Sequence, residues 1–394
     1  MDLIVIGAGI VGLATAYRFL QIHPAKKVIV LEKEETIGVH QSTRNSGVLH
    51  SGIYYRPSSY KAKNCITGKK LLEDFCKEHA IPYKICGKLI IATDESQLPA
   101  LDALYKRGLA NGVACRVVSA SEIRRFEPHA EGIRAIHTAA TGVVDFKLVL
   151  NELKKEIERR GGRILCGERV TQIKEVPVAA IITSSRQVFQ TSFYVNCAGL
   201  YADRVLRLTG HEPPCRIVPF RGEYYALKPE AHGLCKGLIY PLPNPSFPFL
   251  GVHFTRSVNN TVECGPNAVL ALAREGYNWR TIDFKDLWES LSYGGSLRLA
   301  CSYWKEGLNE LIRSLSKRMF VKTLQRLVPA LKEQDLLPAP AGVRAQAVSP
   351  DGRLIDDFLT YRSARGLHVL NAPSPAATSC LSIATQVIDE LNMI

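Results

Sequence analysis

The most constraining feature of this chain is a glycine pattern close to its first residue. An apolar run, Leu3–Ile6, predicts a short buried strand and leads directly into Gly7, Gly9 and Gly12. Gly7 allows a tight turn, Gly9 lets a phosphate approach the backbone, and Gly12 lets a following helix pack closely on the strand. The pattern therefore predicts that the chain binds a dinucleotide at its first residues.

The residues that follow complete a βαβ unit. A helical stretch runs from Ile10 to about Leu20, and a second apolar strand, Val28–Leu31, ends at Glu32. The helix N-terminus offers unpaired N–H groups and a positive dipole end to phosphates. The Glu32 carboxylate can accept hydrogen bonds from a ribose diol, which disfavours the 2′-phosphate of NADP. These residues do not distinguish FAD from NAD.

Length and composition indicate a globular protein with more than one domain. The 394 residues exceed what one ordinary core holds, and the 46% hydrophobic content is that of a soluble fold. No apolar run approaches the roughly 20 residues that span a bilayer. Met1 directly precedes the first strand, so we expect no signal peptide and a cytoplasmic protein. The eleven cysteines form no C-x-x-C pair, which predicts reduced thiols and neither a disulfide framework nor a metal site.

The formal net charge of +13 leaves three classes of partner open: nucleic acid, an anionic membrane and acidic ligands. No nucleic-acid-binding signature accompanies the charge, and most of it is interpreted as a generally basic surface. Basic and apolar residues alternate over 305–326. This pattern is typical of a helix with one solvated face, and less often of a basic amphipathic surface for peripheral contact with the inner face of the cytoplasmic membrane.

The order of predicted elements indicates two interleaved domains. Residues 1–85, 142–214 and 335–394 are assigned to the nucleotide-binding domain, and residues 86–141 and 215–334 to a substrate domain. The substrate domain is expected to contain an antiparallel sheet from Arg216 to about Pro266 and helices over 283–331. Further predictions are a helix over Val143 to Arg160, a strand over Ala341 to Pro350 and a hairpin turn at Asp351-Gly352.

Two segments are candidates to contact a flavin. The segment 40–55 (HQSTRNSGVLHSGIYY) is rich in hydroxyl, amide and glycine groups, and it would direct His50, Tyr54 and Tyr55 towards a cofactor. The segment 371–378 (NAPSPAAT) precedes a helix, whose N-terminus could stabilise negative charge on a reduced flavin. An ordinary polar loop and a proline-capped helix are the structural alternatives.

The middle of the chain offers candidate substrate ligands. Arg221 and Arg344 could each bind a carboxylate, because a guanidinium matches it with two parallel hydrogen bonds. His253 is a candidate base. Surface salt bridges and a buried structural imidazole are the alternatives for these three residues.

Several blocks resemble one family over nearly the whole chain, the L-2-hydroxyglutarate dehydrogenases (or oxidases) of the D-amino-acid-oxidase-like FAD superfamily. The resemblance is carried by NSGVLHSGIYY (45–55), GLYADR (199–204), PFRGEYY (219–225), YPLP (240–243), PFLGVHFTR (248–256), GPNAVLA (265–271), AGVRAQAVSPDGRLIDDF (341–358) and NAPSPAATS (371–379). The family usually has Gly-His before Asn-Ser-Gly, whereas this chain has Thr43-Arg44, so no role is assigned to Arg44.

The resemblance implies an α/β fold, with a Rossmann-like FAD-binding domain and an interleaved α+β substrate domain built on an antiparallel sheet. Val170 would meet the adenine through its backbone, and Ser374 to Thr378 would cover the flavin carbonyl edge. The implied FAD-binding residues are Gly7, Gly9, Gly12, Glu32, Ser42, Thr43, Asn45, Ser46, Val170, Ser374, Ala376 and Thr378.

The resemblance further implies FAD-dependent oxidation of L-2-hydroxyglutarate to 2-oxoglutarate, with electrons passing to oxygen or a membrane quinone. The expected catalytic residues are Arg344 and a base, either His50 or His253. The expected substrate-binding residues are Tyr55, Arg221, Tyr224, Tyr240 and Arg344. An amino-acid or amine oxidase is the first alternative, with Glu223 as a partner for an ammonium group. A non-catalytic flavin- or nucleic-acid-binding protein is the second.

Overall fold

The fold is that of a computed structural model, which describes residues 1–244 and 250–391. Pro248 and Phe249 of the block 248–256, which was expected to belong to the substrate domain, lie outside the described residues. Within the described ranges the helices α1 to α11 are Ile10–Ile22, Tyr60–Glu78, Leu98–Ala110, Ala120–Phe126, Phe146–Arg159, Ala202–Arg207, Phe284–Leu291, Gly294–Ser302, Trp304–Leu315, Lys317–Gln325 and Cys380–Leu391.

The strands of the described ranges assemble into four sheets. In chain order, β1 to β21 are Leu3–Ile6, Val28–Leu31, Val48–Leu49, Tyr83–Ile85, Lys88–Ala92, Cys115–Ser119, Arg134–Thr138, Gly142–Val144, Arg163–Leu165, Val170–Val176, Ala179–Ser184, Val188–Thr191, Phe193–Asn196, Arg216–Leu227, Leu238–Pro241, His253–Arg256, Val262–Gly265, Val269–Leu270, Leu336–Val348, Leu359–Arg362 and Gly366–Asn371.

The six-stranded sheet is the nucleotide-binding sheet that the glycine pattern predicts. Its order is β20-β21-β13-β1-β2-β9, and all its pairs are parallel except β20 with β21. β1 is central, with β2 on one side and β13 on the other. Because strand order reverses around β1, its carboxyl end forms the crevice where doubly wound sheets bind ligands.

Different layers cover the two faces of this sheet. Helices α1, α5 and α11 pack on one face, where Leu3, Val5, Leu13 and Val387 belong to one buried cluster. The three-stranded sheet β10-β11-β12 covers the other face. With apolar layers on both sides, the strands β1 and β2 are buried at every residue, as their continuous apolar runs predict.

The nine-stranded sheet carries the substrate domain. Its path is β18-β14-β17-β16-β15-β5-β7-β6, and β19 pairs with β14. The strand pairs within the segment from Arg216 to Pro266 are antiparallel, as predicted. β5, from an earlier part of the chain, joins β15 in parallel. β19 begins at Leu336, whereas the sequence-based boundary placed everything after 334 in the nucleotide-binding domain. The chain returns to the six-stranded sheet only at Leu359, because the long β14–β19 pairing holds 336–348 in the large sheet.

Local capping explains a second difference. Helix α5 begins at Phe146 and not at Val143, because the Asp145 side chain accepts a hydrogen bond from the Lys147 N–H at 2.8 Å and caps the helix. The preceding residues, Gly142–Val144, form β8 in a small sheet with β3 and β4. That sheet joins the nucleotide-binding segments to the large sheet.

Among the described residues, no helix is both long and apolar enough to cross a membrane. Helices α7 to α10 nevertheless expose several large apolar side chains. All eleven cysteines are free thiols, as their spacing predicts.

Candidate functional site

A large cavity runs between the two main sheets, with a volume of about 1480 Å³. Gly7 and Gly9 line it beside β1, and Val170 lines one end. Towards the other end it is bounded by the loop that precedes α11 and by side chains of β14, β16 and β19. The cavity therefore joins the predicted dinucleotide site to the predicted substrate residues.

The beginning of α1 lies at this cavity, where Gly9, Ile10 and Val11 line the wall. No side chain caps the helix at Gly9, while the Ser42 hydroxyl accepts a hydrogen bond from the Ile10 N–H at 2.9 Å. A Cβ at Gly9 would have one close neighbour, the Ser42 Oγ at 3.1 Å. The space beside Gly9 is therefore open to a ligand and not filled by protein, which fits a pyrophosphate at the helix N-terminus.

The other two glycines of the pattern serve the fold. Gly7 has a φ of +105°, and a Cβ there would lie 2.6 Å from the Cys197 carbonyl oxygen. A Cβ at Gly12 would lie 2.0 Å from the Gly7 carbonyl oxygen. Gly12 does not line the cavity; it lets α1 pack against the turn after β1, as its position predicts.

Two backbone N–H groups hold the Glu32 carboxylate in place at the cavity wall. Its carboxylate accepts hydrogen bonds from the Ala8 N–H at 2.8 Å and the Glu34 N–H at 3.0 Å, and the residue is 8% exposed at the cavity wall. Because each carboxylate oxygen has a further lone pair, both can accept from a diol. These residues fit the adenosine side of FAD.

The loop 40–46 lies along the cavity, but not every predicted residue in it does. Ser42, Asn45 and Ser46 line the cavity, and the Asn45 amide donates to the carbonyls of Gln41 and Ser42 at 2.9 Å. Thr43 is exposed, and its hydroxyl donates to the Gly38 carbonyl at 2.6 Å. Thr43 therefore does not line the cavity with its neighbours, and its side chain closes the loop from outside.

Arg44 has a structural setting that the sequence did not suggest. Its Nε donates to the Val39 carbonyl at 3.0 Å, and its Nη1 donates to the Ala341 carbonyl at 3.3 Å. The guanidinium carbon lies 4.0 Å from the ring centroid of Tyr277. Arg44 therefore ties the loop 40–46 to β19.

The loop before α11, residues 372–379, contacts the segment 40–55, which is the other segment predicted to bind the flavin. Thr378 is fully buried; its hydroxyl donates to the Val48 carbonyl at 3.0 Å and accepts from the His50 N–H at 3.2 Å. Ser374 and Ala376 line the cavity with it. Residues 374–378 therefore form the cavity wall beside His50, a position that suits the carbonyl edge of a flavin.

Polar side chains from separate strands converge on the same end of the cavity. Tyr224, Tyr240, His253 and Arg344 come from β14, β15, β16 and β19 and line it together with His50 and Tyr55. The His253 ring stacks on the Tyr240 ring, with centroids 3.8 Å apart. The Tyr224 hydroxyl lies 3.3 Å from the Ser46 Oγ. The nine-stranded sheet thus places a cation, Arg344, and the aromatic wall of Tyr224, Tyr240 and His253 opposite the side of the cavity predicted to hold the flavin.

The two imidazoles are neutral at physiological pH. Burial, reinforced by the positive charge of Lys88, lowers the pKa of His50 to about 3. Burial also lowers the pKa of His253 to about 3, with Arg344 and Lys88 acting in the same direction. The His253 Nδ1 lies 2.9 Å from the Gly251 carbonyl oxygen. Because a carbonyl can only accept, Nδ1 carries the proton and Nε2 carries the lone pair.

Arg221 lies outside the cavity, contrary to expectation. It is fully buried, and its Nε and Nη2 donate to the Glu223 carboxylate at 3.2 and 2.9 Å. Its guanidinium carbon also lies 4.2 Å from the ring centroid of Trp279. The expectation that Arg221 binds a substrate carboxylate does not hold, because a neighbouring carboxylate already binds its guanidinium.

Two lysines near the site, Lys61 and Lys88, were not among the residues that the sequence predicted there. Lys61, at the start of α2, lines the cavity, and its Nζ lies 2.7 Å from Asp356. Lys88 is buried just behind the aromatic wall. A lysine at the head of the apolar run Lys88–Ala92 was visible in the sequence, but without its neighbours it indicated only a strand end.

Comparison with known proteins agrees with this geometry. The family described as FAD dependent oxidoreductase (DAO) matches residues 2–389. The L-2-hydroxyglutarate dehydrogenase of Indibacter alkaliphilus is 48% identical over 390 residues, which cover 98% of each chain. The mitochondrial L-2-hydroxyglutarate dehydrogenase of Bos taurus is 43% identical over 411 residues, which cover 99% of this chain and 88% of the relative.

A solved structure shows the same fold. The L-alpha-glycerophosphate oxidase from Mycoplasma pneumoniae, solved with FAD bound, has a TM-score of 0.80 and 22% identity, covering 99% of this chain and 94% of that one. The glycine pattern, the Glu32 carboxylate and the match over residues 2–389 agree on one cofactor, FAD. The chain belongs to the DAO family of FAD-dependent oxidoreductases and, within it, to the L-2-hydroxyglutarate dehydrogenase family.

Proposed function

We propose that the protein oxidises L-2-hydroxyglutarate to 2-oxoglutarate. The observation that carries the proposal is the convergence of Arg344, two neutral histidines and three tyrosines at the end of the cavity where the loop 372–378 lies. Relatives at 43–48% identity carry the same name for this activity. Bound FAD supplies the redox chemistry by accepting the hydride from the substrate carbon.

Positive charge at this end of the cavity suits a dicarboxylate. Arg344 lies opposite Phe220 in the β14–β19 pairing and lines the cavity, and burial lowers the pKa of its guanidinium below the ordinary value. A buried cation gains most from an anionic ligand, because the surrounding medium screens the attraction weakly. Arg344 would therefore bind one substrate carboxylate, with Tyr224, Tyr240 and Tyr55 lining the cavity around it.

His253 is proposed as the base that takes the hydroxyl proton at Nε2. The Gly251 carbonyl fixes the required tautomer, and stacking on Tyr240 fixes the ring plane. The bound dianion would raise the pKa of the imidazole, since negative charge favours the protonated form. The His50 Nδ1 lies 3.5 Å from the Tyr55 hydroxyl, at the limit of a hydrogen bond, so that contact leaves its tautomer unfixed.

The experiment that tests the function is anaerobic mixing of the holoenzyme with L-2-hydroxyglutarate, D-2-hydroxyglutarate, glutamate and glycine in separate reactions. Bleaching of the flavin absorbance by the L-hydroxy acid, and not by its D-enantiomer or by the amino acids, is expected. Reduction by an amino acid without reduction by L-2-hydroxyglutarate would contradict the proposal. His253→Asn should slow reduction more than His50→Asn, since it removes the proposed base.

The structure does not favour the amino-acid oxidase alternative, because Glu223 is already bound by other residues. Glu223 was the expected partner of a substrate ammonium group, but it accepts hydrogen bonds from Arg221, from the Asn267 amide at 2.8 Å and from Ser314 at 2.5 Å. Glu223 does not line the cavity. The side chains of the same strand pair that do line it, Tyr224 and Arg344, are uncharged and cationic, which favours an anionic hydroxy acid over an amine.

We further propose peripheral contact between helices α7 to α10 and an anionic membrane surface, with a membrane quinone as electron acceptor. These helices expose Phe284 (83%), Trp288 (73%), Trp304 (61%) and Leu315 (69%). Exposed basic residues are interleaved with them: Lys285, Arg298, Lys305, Arg318 and Lys322. Apolar and basic side chains on one surface are typical of interfacial helices. Ser302, the last residue of α8, and Tyr303, which joins α8 to α9, also line the cavity, so this surface adjoins it.

Vesicle sedimentation tests this contact. Binding to vesicles of phosphatidylglycerol, weaker binding to phosphatidylcholine and loss of binding in Trp288→Glu and Trp304→Glu are expected. Val178→Glu is the matched control, because Val178 is equally exposed (78%) but lies in the turn between β10 and β11. The proposal would be contradicted if wild type and all variants sediment equally with the vesicles, or if none of them sediments with the vesicles.

A further inference from the structure

A buried lysine lies behind the aromatic wall of the cavity. Lys88 is the first residue of β5, and only 2% of it is exposed. Its Nζ lies 4.3 Å from the ring centroid of Tyr54 and 4.9 Å from that of Tyr240. Both tyrosines line the cavity, whereas Lys88 does not. The ammonium is therefore separated from the cavity by aromatic rings.

The two rings connect this ammonium to the proposed base. Tyr240 stacks on His253 at 3.8 Å with 24° between the ring planes. A cation over one face of a tyrosine ring restrains that ring, and the stacked imidazole on Tyr240 is restrained with it. The charge of Lys88 also acts on His50 and His253, because it lowers the pKa of both.

Nothing in the packing explains why a charge should be buried here. Burial lowers the pKa of Lys88 to about 7, and the Cys65 thiol opposes that shift. No carboxylate in the described ranges contributes to the pKa of Lys88. Ile90, two residues along β5 and therefore on the same face, is buried in an apolar cluster that includes Tyr240. A buried ammonium without an ion pair is costly, and such groups concentrate at functional sites.

We propose that Lys88 is a positioning residue for the oxidation: its ammonium holds Tyr54 and Tyr240 in place, and through Tyr240 it holds the His253 ring. This role rests on the proposed function. The titratable and charged groups around Lys88 are Tyr54, Tyr240, Cys65, His50, His253 and, beside Tyr55, Lys61 with its partner Asp356. Because a cation disfavours protonation of a neighbouring imidazole, its removal raises the pKa of both histidines.

The test compares Lys88→Met, which has a similar length without the charge, with Lys88→Arg, which keeps the charge. The rate constant for anaerobic flavin reduction by L-2-hydroxyglutarate is measured from about pH 5 to about pH 9. Lys88→Met should retain FAD, reduce more slowly and lose activity on the acid side at a pH about one unit higher than wild type. Lys88→Arg should keep the wild-type acid side.

Thr138→Val is the matched control for the fold. Thr138 pairs with Lys88 in the β5–β7 register, and its hydroxyl bonds Thr141 at 2.8 Å away from the cavity. Its profile should match wild type. A Lys88→Met profile that superimposes on wild type would overturn the proposal, and so would an equal shift in Lys88→Arg.

Two further measurements keep the test decisive. If Lys88→Met does not retain FAD, Lys88→Gln replaces it under the same criteria. A wild-type flavin that L-2-hydroxyglutarate does not reduce would contradict the proposed function instead. In that case glutarate affinity, measured from the flavin absorbance over the same pH range, replaces the rate. An affinity profile that does not change in Lys88→Met would then overturn the role of Lys88.

Discussion

Replacing Arg344 by Ala should lower the catalytic efficiency with L-2-hydroxyglutarate while leaving FAD bound. Arg344 lies on β19 and lines the cavity, and its pKa is lowered by burial, so the guanidinium is poorly hydrated. Removing one partner of a buried charge pair costs about 2–5 kcal/mol. Water can enter a cavity of about 1480 Å³ and hydrate the abandoned carboxylate, which favours the lower part of that range. We expect a loss of about 2–3.5 kcal/mol, or roughly 30- to 400-fold in kcat/KM.

Anaerobic stopped-flow reduction separates substrate affinity from the rate of reduction. The loss should appear mainly as a higher dissociation constant, with the flavin spectrum and stoichiometry retained. Arg116→Ala is the control, because Arg116 is also in the large sheet, is 53% exposed and pairs with Glu122 at the surface. It should stay within about twofold of wild type, as exposed ion pairs contribute little. An unchanged efficiency in Arg344→Ala with full FAD occupancy would refute the carboxylate-binding role.

Three further outcomes are expected. Gly9→Val should yield folded protein without FAD, because the side chain fills the space left for the pyrophosphate. The control Gly307→Ala, in the exposed part of α9, should retain FAD. A Gly9→Val protein with full FAD occupancy would contradict the cofactor placement. Arg221→Met should lower the free energy of unfolding in urea by about 1–3 kcal/mol, because it leaves the Glu223 carboxylate without its arginine partner. Substrate affinity should not change, because both residues lie outside the cavity. A changed affinity with unchanged stability would show that Arg221 binds substrate after all. Burial holds the pKa of His253 at about 3 against 6.5, so the unfolded chain binds a proton that the folded one does not. Stability should therefore be complete above about pH 6.5 and fall as the pH drops towards 3, and His253→Asn should flatten this slope in thermal unfolding; identical slopes would show that other groups dominate.

The nucleotide half of the site was largely predictable from the sequence. Leu3–Ile6, the three glycines and Glu32 are contiguous enough that their spacing alone implies a strand, a turn, a helix and an acid. Each requirement is local: a positive φ at Gly7, open space at Gly9 and close packing at Gly12 depend on chain neighbours and on the strand beside them. The observed bounds of β1, α1 and β2 follow those predictions.

The substrate half depended on tertiary structure. Arg221 and Arg344 were equivalent candidates, yet they lie on paired strands with different surroundings, one beside Glu223 and the other at the cavity wall. Thr43 and Asn45 are two residues apart, but one closes the loop from outside and the other lines the cavity. A residue type reveals which ligand a side chain can bind, but strand register and neighbours determine what it meets.

By itself, the sequence determined the nucleotide fold, the family and the set of candidate side chains. This was possible because local backbone geometry and apolar periodicity depend on residues that are consecutive in the chain. Only the tertiary structure determined that His50, His253 and Arg344 line one end of a shared cavity, with Lys88 behind its tyrosines, since they come from a loop and three strands far apart in the chain. Their neutral imidazoles and buried cations follow from exclusion of water, which is a property of the assembled sheets and not of any segment.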